Sequence, residues 1–275
     1  MVAATIFTCK PTGRNRKSAN HLAEKKLKGK VNSITYYTCY ADGDGNKVIR
    51  KALDEKYCEK YDDQGYMIAE VIYDNKTPNK IIDSFIYINN VAGKRIKAIR
   101  YNSDGSVYAS YKYIYNSNGD LTEDNRWDMN GAIHTQNLYK YDDKVLVQHQ
   151  RLIYGKVTNI EEYKHDSYGN IIEEVEYGKD LTVILGTKYY KYDTRGNKIA
   201  EYNRWSNGNE FKSEYEYDDE GDEAAMRIID YDNKPSTTRF VYSDIDKQGN
   251  WHVKVTYNND HPGMVYDRRI TYYDK

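Results

Sequence analysis

Two nearly identical short segments contain the residues best suited to hold a ligand. Each places asparagine, arginine and tryptophan in a row ahead of a glycine turn: Asn125-Arg126-Trp127 and Asn203-Arg204-Trp205. The two tryptophans are 78 residues apart, three periods of 26, which predicts equivalent positions on the same edge of a repetitive fold. A flat aromatic ring beside arginine and asparagine in an exposed turn could stack on a sugar or anchor a partner loop. The alternative is inherited repeat sequence in which each tryptophan packs over the neighbouring hairpin, whereas Trp251 is predicted to be a strand residue.

Signatures of catalysis are absent from the sequence. The six histidines show no His-Glu-x-x-His spacing, and there is no Gly-x-Ser-x-Gly elbow and no phosphate loop ending in Gly-Lys-Ser/Thr. Carboxylates are numerous, but the repeat spreads them evenly over what should be a solvated face. We therefore expect no enzymatic activity, no cofactor and no metal.

An acidic, glycine-rich stretch invites a calcium interpretation. It runs Asp42-Gly43-Asp44-Gly45-Asn46. An EF-hand loop needs glycine at its sixth position and glutamate at its twelfth, where this chain has Lys47 and Leu53. The helical calcium loop is excluded, which leaves an irregular calcium-binding turn or a plain Asp/Gly hairpin turn.

A recurring turn must position all of these residues. Tyrosine is followed by Asp or Asn, two variable positions and glycine, most clearly in Tyr192-Asp193-Thr194-Arg195-Gly196-Asn197. The Asp or Asn side chain can bond the backbone two residues on, and glycine supplies the positive φ that closes a hairpin loop. The turn returns after Tyr61, Tyr115 and Tyr217 and, with histidine in place of tyrosine, after His165.

The spacing of these turns predicts the fold. They recur every 24 to 28 residues, and a second turn signal lies between successive copies. Within a unit, tyrosines alternate with mostly charged residues, as in Tyr111-Lys112-Tyr113, which is the period of a strand. The chain is therefore predicted to be all-β: one antiparallel hairpin meander of about fifteen strands over residues 31–275. Since strand twist accumulates, the sheet should curl or close partly into a shell.

The turn and its tyrosine-rich strands resemble the YD-repeat family, whose larger members include the Rhs and teneurin shells. The resemblance covers roughly Val31 to Asp274, and Leu27-Lys28-Gly29-Lys30-Val31 also looks like the start of small secreted proteins of this type from gut Bacteroidetes. Two copies depart from the pattern: Tyr141-Asp142-Asp143-Lys144 lacks its glycine, and the copy from Asp244 to Gly249 is lengthened. The resemblance implies strands that spiral into a shell or curved sheet and implies no single activity.

Charge argues against a nucleic-acid partner. The net charge is −1, and the basic residues concentrate only between Lys10 and Lys30. We predict that residues 1–30 form a solvated leader or short helix, the helix from about Ser18 to Lys28, or else a disordered arm. No apolar stretch of 18 residues exists, so no membrane-spanning helix is predicted.

The three cysteines do not determine the cellular compartment of the protein. Cys9 follows a short apolar run and is a weak candidate for lipid attachment if the start of the chain is truncated or misassigned. Cys39 and Cys58 could form a disulfide across a hairpin or remain reduced. We expect a secreted or cell-envelope protein, or a cytoplasmic one if the chain begins at its true N-terminus.

Three hypotheses for function follow. The first is a non-catalytic surface protein that binds a glycan through exposed aromatics. The second is a structural or protein-interaction scaffold whose exposed terminal strands add to a partner sheet, with an envelope protein as partner. The third and weakest is an enzyme that uses carboxylates on glycans. The sequence does not predict the oligomeric state.

Overall fold

The computed structural model describes residues 20–44, 47–230, 232 and 234–274. Within these ranges it contains one short helix and eighteen strands, and no described helix is long and apolar enough to cross a membrane. The helix is α1 (His21–Glu24). The strands are β1 (Val31–Asp44), β2 (Lys47–Tyr61), β3 (Met67–Tyr73), β4 (Ile81–Asn89), β5 (Arg95–Asn102), β6 (Val107–Tyr115), β7 (Leu121–Trp127), β8 (Ile133–Asp142), β9 (Val145–Ile153), β10 (Lys156–His165), β11 (Ile171–Tyr177), β12 (Ile184–Tyr192), β13 (Lys198–Trp205), β14 (Glu210–Tyr217), β15 (Glu223–Ile229), β16 (Pro235–Ile245), β17 (Trp251–Asn258) and β18 (His261–Tyr272).

The strands form a closed antiparallel barrel. Every strand pairs with the next one along the chain, and β18 returns to pair with β1. Ile34 of β1 therefore lies between Ile270 of β18 and Glu59 of β2. The prediction of an all-β antiparallel hairpin meander is confirmed, and the sheet closes fully where curling or partial closure was expected. Strand addition at free terminal strands is wrong as a binding mode, because the pairing of β1 with β18 leaves neither strand an open edge.

The strand count exceeds the expected fifteen. The period was read between Tyr61 and Tyr242, and this stretch holds the fourteen strands from β3 to the body of β16, two for each of seven repeats. Strands β1, β2, β17 and β18 lie outside it and raise the number to eighteen. The terminal hairpins lack the regular turn spacing, so the repeat does not reveal them.

The turns work as their sequence predicts. In the turn after β2, Oδ1 of Asp62 accepts hydrogen bonds from the backbone N–H groups of Gln64 and Tyr66, at 3.1 and 2.9 Å. Gly65 has a φ of +85°, a conformation that other residues adopt only with strain. The same two bonds recur at Asp193, to Arg195 and Asn197. We call the end of the barrel that carries these turns the tyrosine–aspartate end, and the opposite end the far end.

The barrel wall has two chemically different faces. Cross-strand registers place Tyr36 and Tyr57, and likewise Tyr139 and His149, on what we call the tyrosine face. The registers also place Lys97 opposite Lys112 on the other face, the lysine face. Most buried polar side chains, such as that of Glu59 at 2 % exposure, belong to the tyrosine face.

The N-terminal segment identifies the tyrosine face as the inside of the barrel. Leu22 and Leu27 pack with Ile34 and other residues of that face. The neighbouring residues Lys25 and Lys26 bond Glu59 on β2 and the carbonyl of Gly221 in the turn after β14. Strands β15 to β18 and β1 separate these two places around the wall, so the segment must cross the concave side. Residues 20–30 of the predicted arm thus pack at the tyrosine–aspartate end, and helix occupies only His21–Glu24 of the predicted helical stretch.

Several small clusters replace a single hydrophobic core. Four groups of buried side chains lie at different places on the wall. The largest, around Val31, Ile34 and Tyr61, includes the packed N-terminal segment, and the others join side chains of neighbouring strands. Cross-strand pairs contribute roughly 0.2–1 kcal/mol each, so the stability of this wall is a sum of many modest contacts.

Candidate functional site

Trp205 is the last residue of β13 and lies at the far end of the barrel. Its cross-strand partner is Gly186 of β12, on the tyrosine face. A Cβ atom placed on Gly186 would lie 3.5 Å from Cδ1 of Trp205, so the indole rests directly against the glycine backbone. The tryptophan nevertheless keeps 44 % of its surface exposed. One side of the ring is therefore packed and the remainder is open to solvent.

A small polar cleft adjoins this indole. Its walls come from β11, β12 and β13, and it is lined by Glu174, Glu176, Gly186, Thr187, Lys188, Asn203, Arg204 and Trp205. All three members of the second predicted segment, Asn203, Arg204 and Trp205, are therefore brought together at one place. The registers place Asn203 and Trp205 on the tyrosine face, while Arg204 belongs to the lysine face.

A partly buried ion pair lines the cleft. Nζ of Lys188 lies 2.7 Å from Oε1 of Glu174, and the hydroxyl of Tyr190 donates to Oε2 of the same carboxylate at 3.1 Å. Glu174 is only 5 % exposed. Burial alone would lower the pKa of Lys188, but the hydrogen bond and charge of Glu174 outweigh it and raise that pKa above its usual value. The pair thus presents fixed donors and acceptors with no net charge.

Asn203 has an unused acceptor in this cleft. Its Nδ2 donates to Oε1 of Glu201 at 3.0 Å, which fixes the amide. Its Oδ1 is buried and has no hydrogen-bond partner among the described residues, although the side chain is only 6 % exposed. A buried polar atom without a partner costs about 1–3 kcal/mol, and Oδ1 of Asn125 in the first segment is buried without a partner in the same way.

The first predicted segment is not equivalent to the second. Trp127 pairs with Ser110 on the lysine face, whereas Arg126 pairs with Tyr111 on the tyrosine face. The reason is a one-residue difference in spacing: Trp127 is eight residues beyond its turn glycine, Gly119, and Trp205 is nine beyond Gly196. A slip of one residue moves a strand side chain to the opposite face, so the predicted equivalence is wrong.

The neighbours of Trp127 in the first segment are held by contacts of their own. Nδ2 of Asn125 donates to Oε1 of Glu123 at 2.6 Å, and Asn125 is 4 % exposed. Nη1 of Arg126 lies 3.2 Å from Nδ1 of His134, and its guanidinium lies 5.5 Å from the centre of the Tyr108 ring. Since β7 and β13 lie far apart around the wall and the two indoles face opposite ways, one small ligand cannot contact both.

Trp251 is a strand residue, as predicted. It opens β17, and the guanidinium of Arg268 lies 3.3 Å from the centre of its ring. The Arg268 side chain also donates two hydrogen bonds to the Trp251 carbonyl. The third tryptophan is thus committed to packing within the wall.

Among the described residues, the remaining sequence candidates form no second site. Cys39 and Cys58 are free thiols; Cys39 lies opposite Leu53 and Cys58 opposite Thr35, so the two are far apart along the hairpin. Cys9 and part of the acidic turn after Asp44 lie outside the described residues. Within the described ranges, no group of three or more His, Cys, Asp or Glu side chains is arranged to hold a metal ion.

Sequence reasoning did not single out the β12 side of the cleft. A lone glycine inside a strand often marks close approach of another group, and Gly186 interrupts β12 in this way. Lys188 carried no comparable signal, because lysines occur throughout the repeat. Its pairing with Glu174 depends on the register between β11 and β12.

Comparison with known proteins gives weak likenesses only. No protein-family model and no curated protein matches the chain. Among solved structures, a porin-like protein from Bacteroides uniformis is 8 % identical, covering 89 % of this chain and 99 % of its own, with a TM-score of 0.46. A porin-like protein from Bacteroides vulgatus is 12 % identical over the same shares, with a TM-score of 0.33. The TcdB2-TccC3 structure without its hypervariable C-terminal region is 13 % identical, covering 79 % of this chain and 14 % of its own, with a TM-score of 0.36.

Proposed function

We propose that this chain is a non-catalytic binding protein, secreted or held in the cell envelope, that takes a carbohydrate on the exposed surface of the Trp205 indole. The observation that carries the proposal is the half-exposed indole packed on Gly186 beside buried polar groups. A flat apolar surface next to fixed hydrogen-bonding groups is the combination that a sugar ring can use, with its C–H face on the indole and its hydroxyls on the polar atoms.

The polar atoms of the cleft suit a neutral ligand. Nζ of Lys188, whose side chain is about a third exposed, can donate a hydrogen bond to a hydroxyl group, and its partner Glu174 neutralises its charge. Because that pair is internally neutral, no net charge is needed on the ligand. Arg204, 3.5 Å from Glu210 and largely exposed, can contact a second sugar beyond the rim.

The proposal gives a lesser role in ligand binding to Trp127, Arg126 and Asn125. Trp127 lies on the lysine face and can supply only a separate, weaker contact surface. We therefore assign the main site to Trp205 and Asn203, with Arg204 at its border. The assignment predicts that substitution of Trp205 and substitution of Trp127 have different effects on glycan binding.

A glycan array tests the proposal. The full chain should bind a subset of neutral glycans, and Trp205→Ala should weaken that binding at least about tenfold, as expected for loss of a central aromatic anchor. Trp127→Ala is the matched control and should change it less than about threefold. A blank array from well-folded protein, or equal loss in both variants, would contradict the assignment.

A protein-interaction scaffold remains the second candidate because of exposed apolar residues on β4. Ile86 and Ile88 are 46 % and 41 % exposed, and Ile86 lies opposite Ile99 on the lysine face. Self-association through this surface would appear in sedimentation measurements and be abolished by Ile86→Asp. A monomer at all concentrations tested would remove this form of the scaffold hypothesis.

A further inference from the structure

Two β-bulges at the far end each place a ring beside an arginine of the tyrosine face. The pairing of β5 with β6 shifts by one residue just after Arg100, which leaves Tyr108 as the extra residue. The pairing of β7 with β8 shifts in the same way just after Arg126, and there the extra residue is His134. Other far-end hairpins have the same bulge with Ile82, Thr158 or Leu185 as the extra residue. The bulge thus belongs to the repeat, whereas the ring beside an arginine is particular to β6 and β8, and bulges commonly re-aim side chains at barrel rims and functional sites.

The rings hold the two guanidinium groups in place. Those of Arg100 and Arg126 lie 4.6 and 5.5 Å from the centre of the Tyr108 ring. Nη1 of Arg126 lies 3.2 Å from Nδ1 of His134, whose ring packs edge-on against Tyr154 at 4.9 Å between centres. Tyr108 and Tyr154 are 37 % and 59 % exposed, so solvent reaches this cluster. Its arginines are thus ordered before any ligand arrives, which lowers the entropic cost of binding.

An acid neutralises only one of the two arginines. Nε of Arg100 lies 3.0 and 2.8 Å from the two carboxylate oxygens of Asp83. Within the described ranges Arg126 forms no ion pair, and its Nε is buried without a hydrogen-bond partner. Asp124, two residues earlier on the same face, already accepts hydrogen bonds from two side chains of β8. Arg126 therefore keeps its positive charge for a ligand.

The surrounding inner wall is positive as well. Arg151 lies on the tyrosine face of β9, 25 residues after Arg126, and among the described residues it forms no ion pair. Burial raises the pKa of the Tyr111 hydroxyl, but the positive charges of Arg126 and Arg100 both act to lower that pKa. Farther round the wall the same face carries carboxylates instead, at Glu161, Glu174, Glu176 and Glu201. An anion inside the barrel is therefore attracted to the arginine side of the wall.

The chemistry of the cluster is that of an oxyanion site. A guanidinium presents its N–H donors in a planar fork that matches the oxygens of a carboxylate, sulfate or phosphate group. We propose that the inner wall at the far end binds such an oxyanion group of a ligand at Arg126, beside the rings of Tyr108 and His134. Arg126 is of little use to a neutral sugar, because what distinguishes it is its charge. The site lies on β5 to β8, away from Trp205, and does not rest on the proposed function.

Protection of single arginines from chemical labelling tests the inference. The full chain is treated with phenylglyoxal, which modifies guanidinium groups, and the labelled peptides are quantified by mass spectrometry. The probes are inorganic sulfate, inorganic phosphate and glucuronate, with chloride at equal ionic strength and glucose as controls. A saturating oxyanion should slow the labelling of Arg126 at least about fivefold, because bidentate binding occupies the fork. Arg227, on the lysine face 3.3 Å from Glu214, is the matched internal control and should not respond.

A variant provides a second, independent measurement. An anion that binds the folded protein raises its melting temperature. Sulfate and phosphate also stabilise folded proteins in general, so the comparison must be made between variants. Arg126→Gln should lose the part of this rise that exceeds the general effect, whereas Arg227→Gln should retain it. The labelling experiment on the unaltered protein stands even if Arg126→Gln folds poorly.

Each outcome decides the question. Saturable protection of Arg126 by sulfate or phosphate alone would support the site and identify a sulfate or phosphate ester as its ligand, and protection by glucuronate alone would identify a sugar acid. Equal protection of Arg126 and Arg227, or protection by chloride, would show general screening of charge and overturn the proposal. Failure of phenylglyoxal to label Arg126 would show that the guanidinium is closed to ligands and would overturn it too. None of these results depends on whether Trp205 binds a glycan.

Discussion

The indole of Trp205 packs against the backbone of Gly186, its direct cross-strand partner. A Cβ atom on the glycine would stand 3.5 Å from the indole Cδ1 and 3.4 Å from the Arg204 carbonyl oxygen. The glycine thus sets the depth at which the tryptophan sits on the wall. Because part of the ring remains exposed, the same contact that stabilises the strand pair also presents an aromatic surface at the far end.

The size of residue 186 should therefore control the cleft. Gly186→Ala adds a methyl group at ordinary contact distance and should change glycan affinity less than about threefold. Gly186→Val should displace the indole and weaken binding about tenfold or more, since the aromatic surface is lost as in Trp205→Ala. Thermal melting and calorimetric titration of both variants check this. Equal affinity of the valine variant and the unaltered protein would show that indole position does not matter.

Turn glycines should differ in how strictly they are required. Gly93 has a φ of +74°, and a Cβ there would lie 1.9 Å from Cζ of Tyr66, whereas Gly105 has a φ of +82° and open space around it. Gly105→Ala should cost about 1 kcal/mol of unfolding free energy from backbone strain alone. Gly93→Ala should cost about 2 kcal/mol or more, since Tyr66 must also move. Urea unfolding of the pair measures the difference, and equal values would contradict the packing of Tyr66 on the turn.

Acid should loosen the N-terminal segment through His21. Its Nδ1 accepts a hydrogen bond from the N–H of Met67 at 2.8 Å, so the fold holds the neutral ring. Burial, helped by the positive charges of Arg95 and Lys25, lowers the pKa of His21 to about 4, while Asp62 opposes the shift. Since the folded pKa lies below the unfolded value near 6.5, the stabilisation is complete above pH 6.5 and is lost as pH falls towards 4.

The magnitude follows from that difference in pKa. The shift corresponds to at most about 3 kcal/mol of unfolding free energy. Denaturant unfolding between pH 7 and 4 should show a steeper loss for the unaltered protein than for His21→Gln, which cannot take up a proton. Parallel pH profiles for the two proteins would show that folding does not lower the pKa of His21.

Both described thiols should stay reduced whatever the redox conditions. Cys39 and Cys58 occupy positions on β1 and β2 that lie far apart along the hairpin, beyond the reach of a disulfide. Burial also raises the pKa of the Cys39 thiol and so lowers its reactivity. Alkylation after denaturation without reductant should label both residues, and the melting temperature should not respond to reductant. A Cys39–Cys58 cross-link found by mass spectrometry would contradict the β1–β2 register.

The repeat made much of this architecture predictable. The Tyr-Asp-x-x-Gly turns specify hairpins because each element of the motif has a local physical role, seen in the bonds of Asp62 and the positive φ of Gly65. Closure was beyond the sequence, because it depends on β1 meeting β18 after every strand has added its twist. The terminal hairpins were not predicted from the repeat, because they lie outside its regular spacing.

The site was predictable only in part. The asparagine, arginine and tryptophan of the second segment do meet at a cleft, which their residue types suggested. The similar residues 125–127 do not occupy equivalent positions. The spacing from Gly119 to Trp127 is one residue shorter than the corresponding spacing to Trp205, so Trp127 lies on the opposite face of the wall. Counting residues from each turn glycine would have revealed this difference, whereas counting between the tryptophans concealed it. Prediction of the Lys188–Glu174 pair would have required the register between β11 and β12, which the sequence of a single strand does not give.

Trp205 can serve as its own reporter of glycan binding. The chain has three tryptophans, so Trp127→Phe combined with Trp251→Phe leaves Trp205 as the only indole. A glycan that binds on the array should then shift or quench its fluorescence, with a midpoint equal to the calorimetric dissociation constant. Saturable binding by calorimetry without any change in the emission of Trp205 would place the ligand elsewhere and contradict the account.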